Sequence, residues 1–142
     1  MMPRALIIHH SASATGDRDT IDGWHKARGW KGIGYHKVIL RDGRIQQGRA
    51  DNERGAHCPG WNDRSLGICC IGNFEVTWPT QRQWASLVRA CAILCQRHSI
   101  PALLIYGHKE VSLKPTACPG RNFDLNRLRE EVEKALIRIA EA

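Results

Sequence analysis

Three places in this 142-residue sequence carry side chains able to hold a metal ion: His9 or His10, His108, and Cys118. The histidine pair ends the apolar run Ala5-Leu6-Ile7-Ile8. His108 follows Leu103 to Tyr106 and Gly107, and Cys118 lies in Thr116-Ala117-Cys118-Pro119-Gly120. Two imidazoles and one thiolate make a catalytic zinc set that leaves the fourth tetrahedral position to water. Successive strand residues point to opposite faces, so only one of His9 and His10 can reach a shared metal, and spacing does not decide which. Each residue alone also has a plainer reading. With seven histidines in the chain, any one can be a surface or hydrogen-bonded structural group, and a single cysteine packs like a small hydrophobe. The spacing has none of the paired-cysteine pattern of structural zinc sites.

A common centre needs a rigid frame that aims these loops at one point. Ala5 to His9 is apolar without a break up to its histidine, the pattern of a strand buried on both faces. Asp19-Thr20-Ile21-Asp22 offers capping side chains for a helix carrying Ile21, Trp24 and Arg28, and Gly29 suits the position after its end. Tyr35 to Leu40 and Arg44 to Gln47 flank Asp42-Gly43, which predicts a type I′ hairpin. Arg49 to Arg64 reads as a loop, and structureless loops beyond about 12–15 residues usually serve a function. Leu66 to Ile71 is a second apolar, central strand. Pro79, Thr80 and Gln83 open a helix with a capping box, and its stripe is Trp84, Leu87, Val88, Cys91, Leu94 and Cys95. Cys91 and Cys95 are therefore expected as core thiols. Leu103 to Tyr106 predicts a last strand, and Leu125, Leu128, Val132, Leu136 and Ile139 predict a closing amphipathic helix. The expected fold class is α/β: a single domain with a mixed central β-sheet flanked by helices.

Composition narrows the function classes. The length suits one domain, and 42% hydrophobic with 25% charged residues is an ordinary globular balance. No apolar run approaches the roughly 18 residues that span a bilayer, and the N-terminal stretch is too short for a signal peptide. Adjacent Cys69 and Cys70 fit no small disulfide framework, so most thiols are expected free. The net charge of +7 is concentrated: Lys26 to Arg64 holds nine basic and four acidic residues, whereas the chain from Arg121 onward is neutral. A basic surface suits a polyanion, whether nucleic acid, an anionic membrane or a carboxylate-rich wall polymer, or it serves solubility alone. No nucleic-acid motif is visible, and the paired motifs of zinc base deaminases are absent.

A set of short motifs occurs in order: Ile7-Ile8-His9-His10-Ser11-Ala12-Ser13, Gly34-Tyr35-His36, Gly55-Ala56-His57, Asn62, Ser65-Leu66-Gly67, Gly107-His108-Lys109-Glu110-Val111 and Thr116-Ala117-Cys118-Pro119. Together they resemble the zinc-dependent N-acetylmuramoyl-L-alanine amidases, the group of the phage endolysins and the animal peptidoglycan-recognition proteins. The likeness covers nearly the whole chain, from Leu6 to Leu125. It implies one catalytic Zn2+ held by His9, His108 and Cys118, with His10 at a variable place beside the ligand. It implies Tyr35 as the active-site tyrosine, and His57 and Asn62, with Trp61 beside them, on the loop lining the peptidoglycan groove. One position departs. Phage endolysins of this type often carry a catalytic lysine two residues before the cysteine, where Thr116 stands; catalytic recognition proteins have threonine there. Lys114 lies on the same loop.

The function this resemblance implies is a single amidase catalytic domain over residues 1–142, cleaving the amide between N-acetylmuramic acid and L-alanine. Such a zinc site activates water and polarises the carbonyl. The Tyr35 hydroxyl would support the developing oxyanion, and Thr116 would orient the water or add a second hydrogen bond. No carboxylate in the motifs is an obvious general base. The expected partner is peptidoglycan, met by a monomer with neither nucleic acid nor stable membrane insertion; no regulatory partner is identified. Without a signal peptide, an endolysin is expected to accumulate in the cytoplasm and to reach the wall after holin-dependent release. The alternatives are an amidase acting on recycled wall fragments and a non-catalytic peptidoglycan-binding module. Non-enzymatic relatives typically lose the cysteine ligand, and Cys118 is present.

Overall fold

In the computed structural model, which describes residues 1–142, β1 (Ala5–His10) and β4 (Ser65–Cys70) pair in parallel along their whole length. Every residue of both strands is buried. Parallel strands covered on both faces need apolar side chains in both directions, which is why the sequence shows runs here and no alternation. β2 (Lys37–Ile39) adds in parallel to β4, and β3 (Ile45–Gln47) adds antiparallel to β2. β5 (Ile105–Gly107) lies parallel to β1 on its other side, giving the order β3-β2-β4-β1-β5. The sheet is mixed and central.

The pleat sorts the two faces. Leu6, Ile8, Ile39, Leu66, Ile68 and Cys70 face the larger core, with Leu87, Cys91 and Cys95 of α2 (Gln81–His98) and Leu128 and Val132 of α4 (Leu125–Glu141). Val38 and Cys69 face a smaller core with Leu40 and Ile71, under Ile21 of α1 (Arg18–Ala27). His9 sits beside Cys69, which sits beside Val38, so His9 leaves the sheet on the α1 side.

Side-chain caps fix where the helices begin. α1 opens on a box formed by Asp17 and Thr20, slightly earlier than the sequence suggests: the Thr20 N–H donates to Asp17 Oδ1 at 2.9 Å. Gly29 follows its end at φ +88, a conformation that favours glycine. α2 carries the expected box, with the Gln83 N–H donating to Thr80 Oγ1 at 3.0 Å. Fully buried Gln83 does more. Its amide nitrogen donates to the Ile39 carbonyl at 3.0 Å and the Ile71 carbonyl at 2.8 Å, clamping β2 and the chain after β4 to the start of α2.

Three local expectations are revised. A type I′ turn needs positive φ at both central residues, but at the β2–β3 connection only Gly43 has it, at +92. The Gly43 N–H donates to the Leu40 carbonyl at 3.0 Å and Asp42 acts through its carboxylate, which accepts the Arg44 N–H at 3.0 Å. The loop is longer and is closed by a left-handed glycine. Next, Ala102–Leu104 form a 3-10 turn after Pro101, so Leu103 is exposed and β5 starts only at Ile105. Finally, α4 buries Leu125, Leu128 and Val132, whereas Ile139 near its end is exposed.

Replacing Gln83 by leucine leaves the buried Ile71 carbonyl without a donor and takes one of two donors from the Ile39 carbonyl, which keeps the Ile71 N–H at 3.0 Å. Gln83→Leu is expected to destabilise the fold by about 2 kcal/mol, seen as a lower urea midpoint at an unchanged denaturant slope.

Candidate metal centre and adjoining cleft

At the carboxyl end of β1 the two histidines part. His9 turns to the α1 face, where its ring lies 4.7 Å from that of His108, between centroids, and its Nδ1 lies 3.8 Å from Cys118 Sγ. The ligand atoms of His9, His108 and Cys118 all lie within 4.8 Å of one another. His10 turns to the opposite face, where its Nδ1 accepts the Phe74 N–H at 3.1 Å. The strand register, which spacing alone does not supply, thus brings His9 into the cluster and sends His10 away.

The other two members are held by the loops that carry them. His108 is the first residue of α3 (His108–Val111), where Glu110 turns back to accept the Gly107 N–H at 2.8 Å. Arg129 of α4 braces that turn, donating to Glu110 at 3.1 Å and to the Ile105 carbonyl at 2.8 Å. Cys118 is tied to both histidine segments. Its carbonyl accepts the Lys109 N–H at 2.8 Å, and its sulfur accepts the His10 N–H at 3.4 Å. The Cys118 N–H in turn donates to Thr116 Oγ1 at 3.2 Å.

Burial sets the protonation of the site. Desolvation lowers the pKa of His9 and His108, takes His57 down to about 3, and takes His25 down to about 4. The imidazoles are therefore neutral, the form in which histidine ligates a metal. Burial pushes the Cys118 thiol up to about 12, opposed by the His10 N–H; a coordinated thiol is deprotonated outright. At usual zinc bond lengths a tetrahedral ion separates sulfur and nitrogen ligand atoms by about 3.5 Å, so the donor set fits such an ion after a small closing movement. The Tyr35 ring stacks obliquely 4.9 Å from His9. Burial first, then Cys69 and Cys118, raise its pKa well above the usual value, so its hydroxyl stays a donor.

A cleft of about 210 Å³ adjoins the cluster, with Tyr35, His57, Asn62 and His108 among its walls. Asn62 Oδ1 accepts the backbone N–H groups of His57 and Cys58, each at 2.8 Å, and so shapes the loop from within. Trp61 does not line the cleft; its ring packs 5.6 Å from that of Tyr106, under the Arg64 guanidinium at 4.0 Å. Lys114 is exposed. Sequence reasoning missed His25, Arg28 and Trp30, which form the far wall. The available signal was Arg28-Gly29-Trp30 at the end of α1, where Gly29 reads only as a terminator. Six of the nine basic residues between Lys26 and Arg64 are exposed, and the partly buried ones are used inside the fold. Lys37 pairs with Asp51 at 2.8 Å, and Arg49 donates to the carbonyls of Ile33 and Arg54. Arg28 is the one cation lining the cleft, and no carboxylate lines it. A larger cavity, about 1130 Å³ between the starts of α2 and α4, contains none of the cluster, and its charges pair locally, as in Arg127–Glu131 and Arg129–Glu110.

Comparison with known proteins agrees with this geometry. Residues 1–121 match the family described as N-acetylmuramoyl-L-alanine amidase. The endolysin of Escherichia phage T7 is 34% identical over 139 residues, covering 91% of this chain and 87% of the relative. A peptidoglycan-recognition protein of Drosophila simulans is 35% identical over 140 residues, covering 92% of this chain and 75% of the relative. Among solved structures, an N-acetylmuramoyl-L-alanine amidase of Clostridium intestinale superposes with a TM-score of 0.88 at 36% identity, covering 93% of this chain and 86% of that one.

His25 provides a test of the buried, neutral interior. Its Nδ1 accepts the Gly34 N–H at 2.8 Å, and its pKa falls from 6.5 to about 4. Above 6.5 both folded and unfolded chains are neutral at this group, so the full stability is present. As pH falls from 6.5 to about 4, the unfolded chain takes up a proton that the folded one refuses, and stability is lost across that window. His25→Asn keeps an acceptor near Nδ1 but does not titrate. Calorimetry of the metal-free protein is expected to show a shallower acid decline of Tm for this variant than for the wild type.

Proposed function

Because the chain belongs to the N-acetylmuramoyl-L-alanine amidase family, we propose that residues 1–142 form a zinc-dependent catalytic domain cleaving the amide between N-acetylmuramic acid and L-alanine. The observation that carries this reading is the convergence of His9, His108 and Cys118 beside a cleft. These three residues would hold the ion. Zinc, when bound, supplies Lewis acidity for the carbonyl and a water acidified to a pKa of about 7.

The chain's own groups supply the rest. Neutral His9 and His108 offer lone pairs without the cost of losing a proton. Tyr35, kept protonated by burial, donates its hydroxyl to the oxyanion that develops at the scissile carbonyl. Thr116 accepts the Cys118 N–H and so retains its own hydroxyl proton to orient water or substrate. His57, Asn62 and Trp61 belong to the loop that shapes the groove. A cleft with Arg28 as its cation and no carboxylate suits a substrate that carries carboxylates, as the peptide stems of wall polymer do.

The endolysin relatives support a role on the host cell wall; access to that wall after holin action is part of the proposal. No helix is long and apolar enough to cross a membrane. The similarity to peptidoglycan-recognition proteins favours a second reading, a module that binds peptidoglycan without cutting it.

Mass analysis of purified peptidoglycan after digestion separates these readings. Cys118→Ala and His108→Ala are expected to release stem peptides only at background level while keeping the wild-type circular dichroism spectrum. Tyr35→Phe is expected to lower kcat by about 10²–10³-fold with zinc content unchanged. Full release by Cys118→Ala, or by chelator-treated protein, overturns the zinc reading. Binding without any released peptide in the wild type establishes the module.

A further inference from the structure

His57 lies on the groove loop, yet both of its ring nitrogens are occupied inside the protein. Its Nδ1 is 2.9 Å from His9 Nε2, and its Nε2 is 3.3 Å from Ser65 Oγ. The proton inventory along this chain has one solution. The Trp61 carbonyl can only accept, so the Ser65 hydroxyl spends its single proton on it, at 2.7 Å. Ser65 Oγ therefore accepts from His57 Nε2–H. A neutral imidazole has one N–H, so His57 Nδ1 is bare and accepts from His9 Nε2–H. His9 is left with its lone pair on Nδ1, the atom that faces Cys118 Sγ at 3.8 Å.

We propose that Trp61, Ser65 and His57 form a directed hydrogen-bond relay that locks His9 in its Nε2–H tautomer, making His57 and Ser65 positioning residues for the metal centre. A metal-bound histidine usually donates its second nitrogen to a partner that fixes its tautomer and ring orientation. Here that partner is another histidine, itself fixed from behind by a serine at the first position of β4. The slot that holds His57 is cut into the backbone. A Cβ on Gly67 would lie 2.6 Å from His57 Cγ, and one on Gly55 would lie 2.6 Å from its Cδ2. Asn62 pins the His57 backbone, and the residue is only 8% exposed. The ring is held in a socket whose fit depends on two missing side chains.

The proposal rests on the metal-binding reading of the cluster, so its test has one readout that needs metal and one that does not. The first is the zinc Kd of the full chain, measured without substrate by competition with a chromogenic chelator. His57→Leu and Ser65→Ala are expected to weaken zinc binding, the former by about 10–100-fold. His57→Asn, which keeps an acceptor near the Nδ1 position, is expected to recover most of that loss. A residue that only contacted peptidoglycan would leave all of these values at wild type, and an unchanged Kd in folded His57→Leu overturns the relay. The second readout is the ring-nitrogen NMR spectrum of His9 in the metal-free protein. It is expected to show Nε2–H in the wild type and a tautomer mixture in Ser65→Ala and His57→Leu. A wild-type His9 protonated on Nδ1 overturns the proposal. If the wild type captured no zinc, the cluster reading would fall, and the spectrum would still decide whether the relay exists. If His57→Leu failed to fold, Ser65→Ala would carry both measurements.

Discussion

The full-length parallel pairing of β1 with β4 fixes the pleat at His9 and His10, and with it the direction in which each imidazole leaves the sheet. A shift of one residue would exchange their surroundings: His10 would enter the cluster, and His9 would face the apolar core under α2 and α4. The chain uses both members of the pair. The His10 side chain satisfies the buried Phe74 N–H while its backbone N–H reaches the Cys118 sulfur. One dipeptide therefore supplies a side chain to the cluster and a backbone anchor to the loop bearing another member.

Burial is the second common cause. The same removal from water holds the histidines neutral, keeps the Tyr35 proton in place and leaves the cysteines of the two cores as thiols. It also makes each polar group there need a partner, since an unsatisfied buried donor or acceptor costs about 1–3 kcal/mol. The hydrogen bonds around the cluster meet that demand in one connected set, running from the groove loop through β4 and β1 to the loops of His108 and Cys118. Arg129 extends the support to α4, so the helix layer on the far face braces the loop that carries His108.

What was legible in the sequence is what local chemistry writes. The uninterrupted runs Ala5 to Ile8 and Leu66 to Ile71 announce buried strands, and Thr80 with Gln83 announces the start of α2. His108 and Cys118 stand out because they follow or lie near strand ends. What was not legible depends on how distant segments meet. Choosing between His9 and His10 needs the register against β4. His25, Arg28 and Trp30 enter the cleft only because α1 docks over Val38 and Cys69. The role of Ser65 needs both the groove loop and the sheet in place. Charge counting misses the same kind of detail: most basic residues of the segment are exposed, but Lys37 and Arg49 are braces held by groups that no spacing rule connects to them.

β4 has an unequal division of labour between its faces. On the side toward α2 and α4, Leu66, Ile68 and Cys70 are ordinary core groups, where a volume-conserving exchange costs less than about 1.5 kcal/mol. On the other side stand a hydroxyl at Ser65, which among β-hydroxyl side chains only threonine shares, and the absent side chain of Gly67, which no other residue reproduces. The strand can drift on one face while it is frozen on the other. Divergence among descendants of this chain would then accumulate along β4 with a period of two residues, and that rhythm would reveal which way the strand faces without any structure at all.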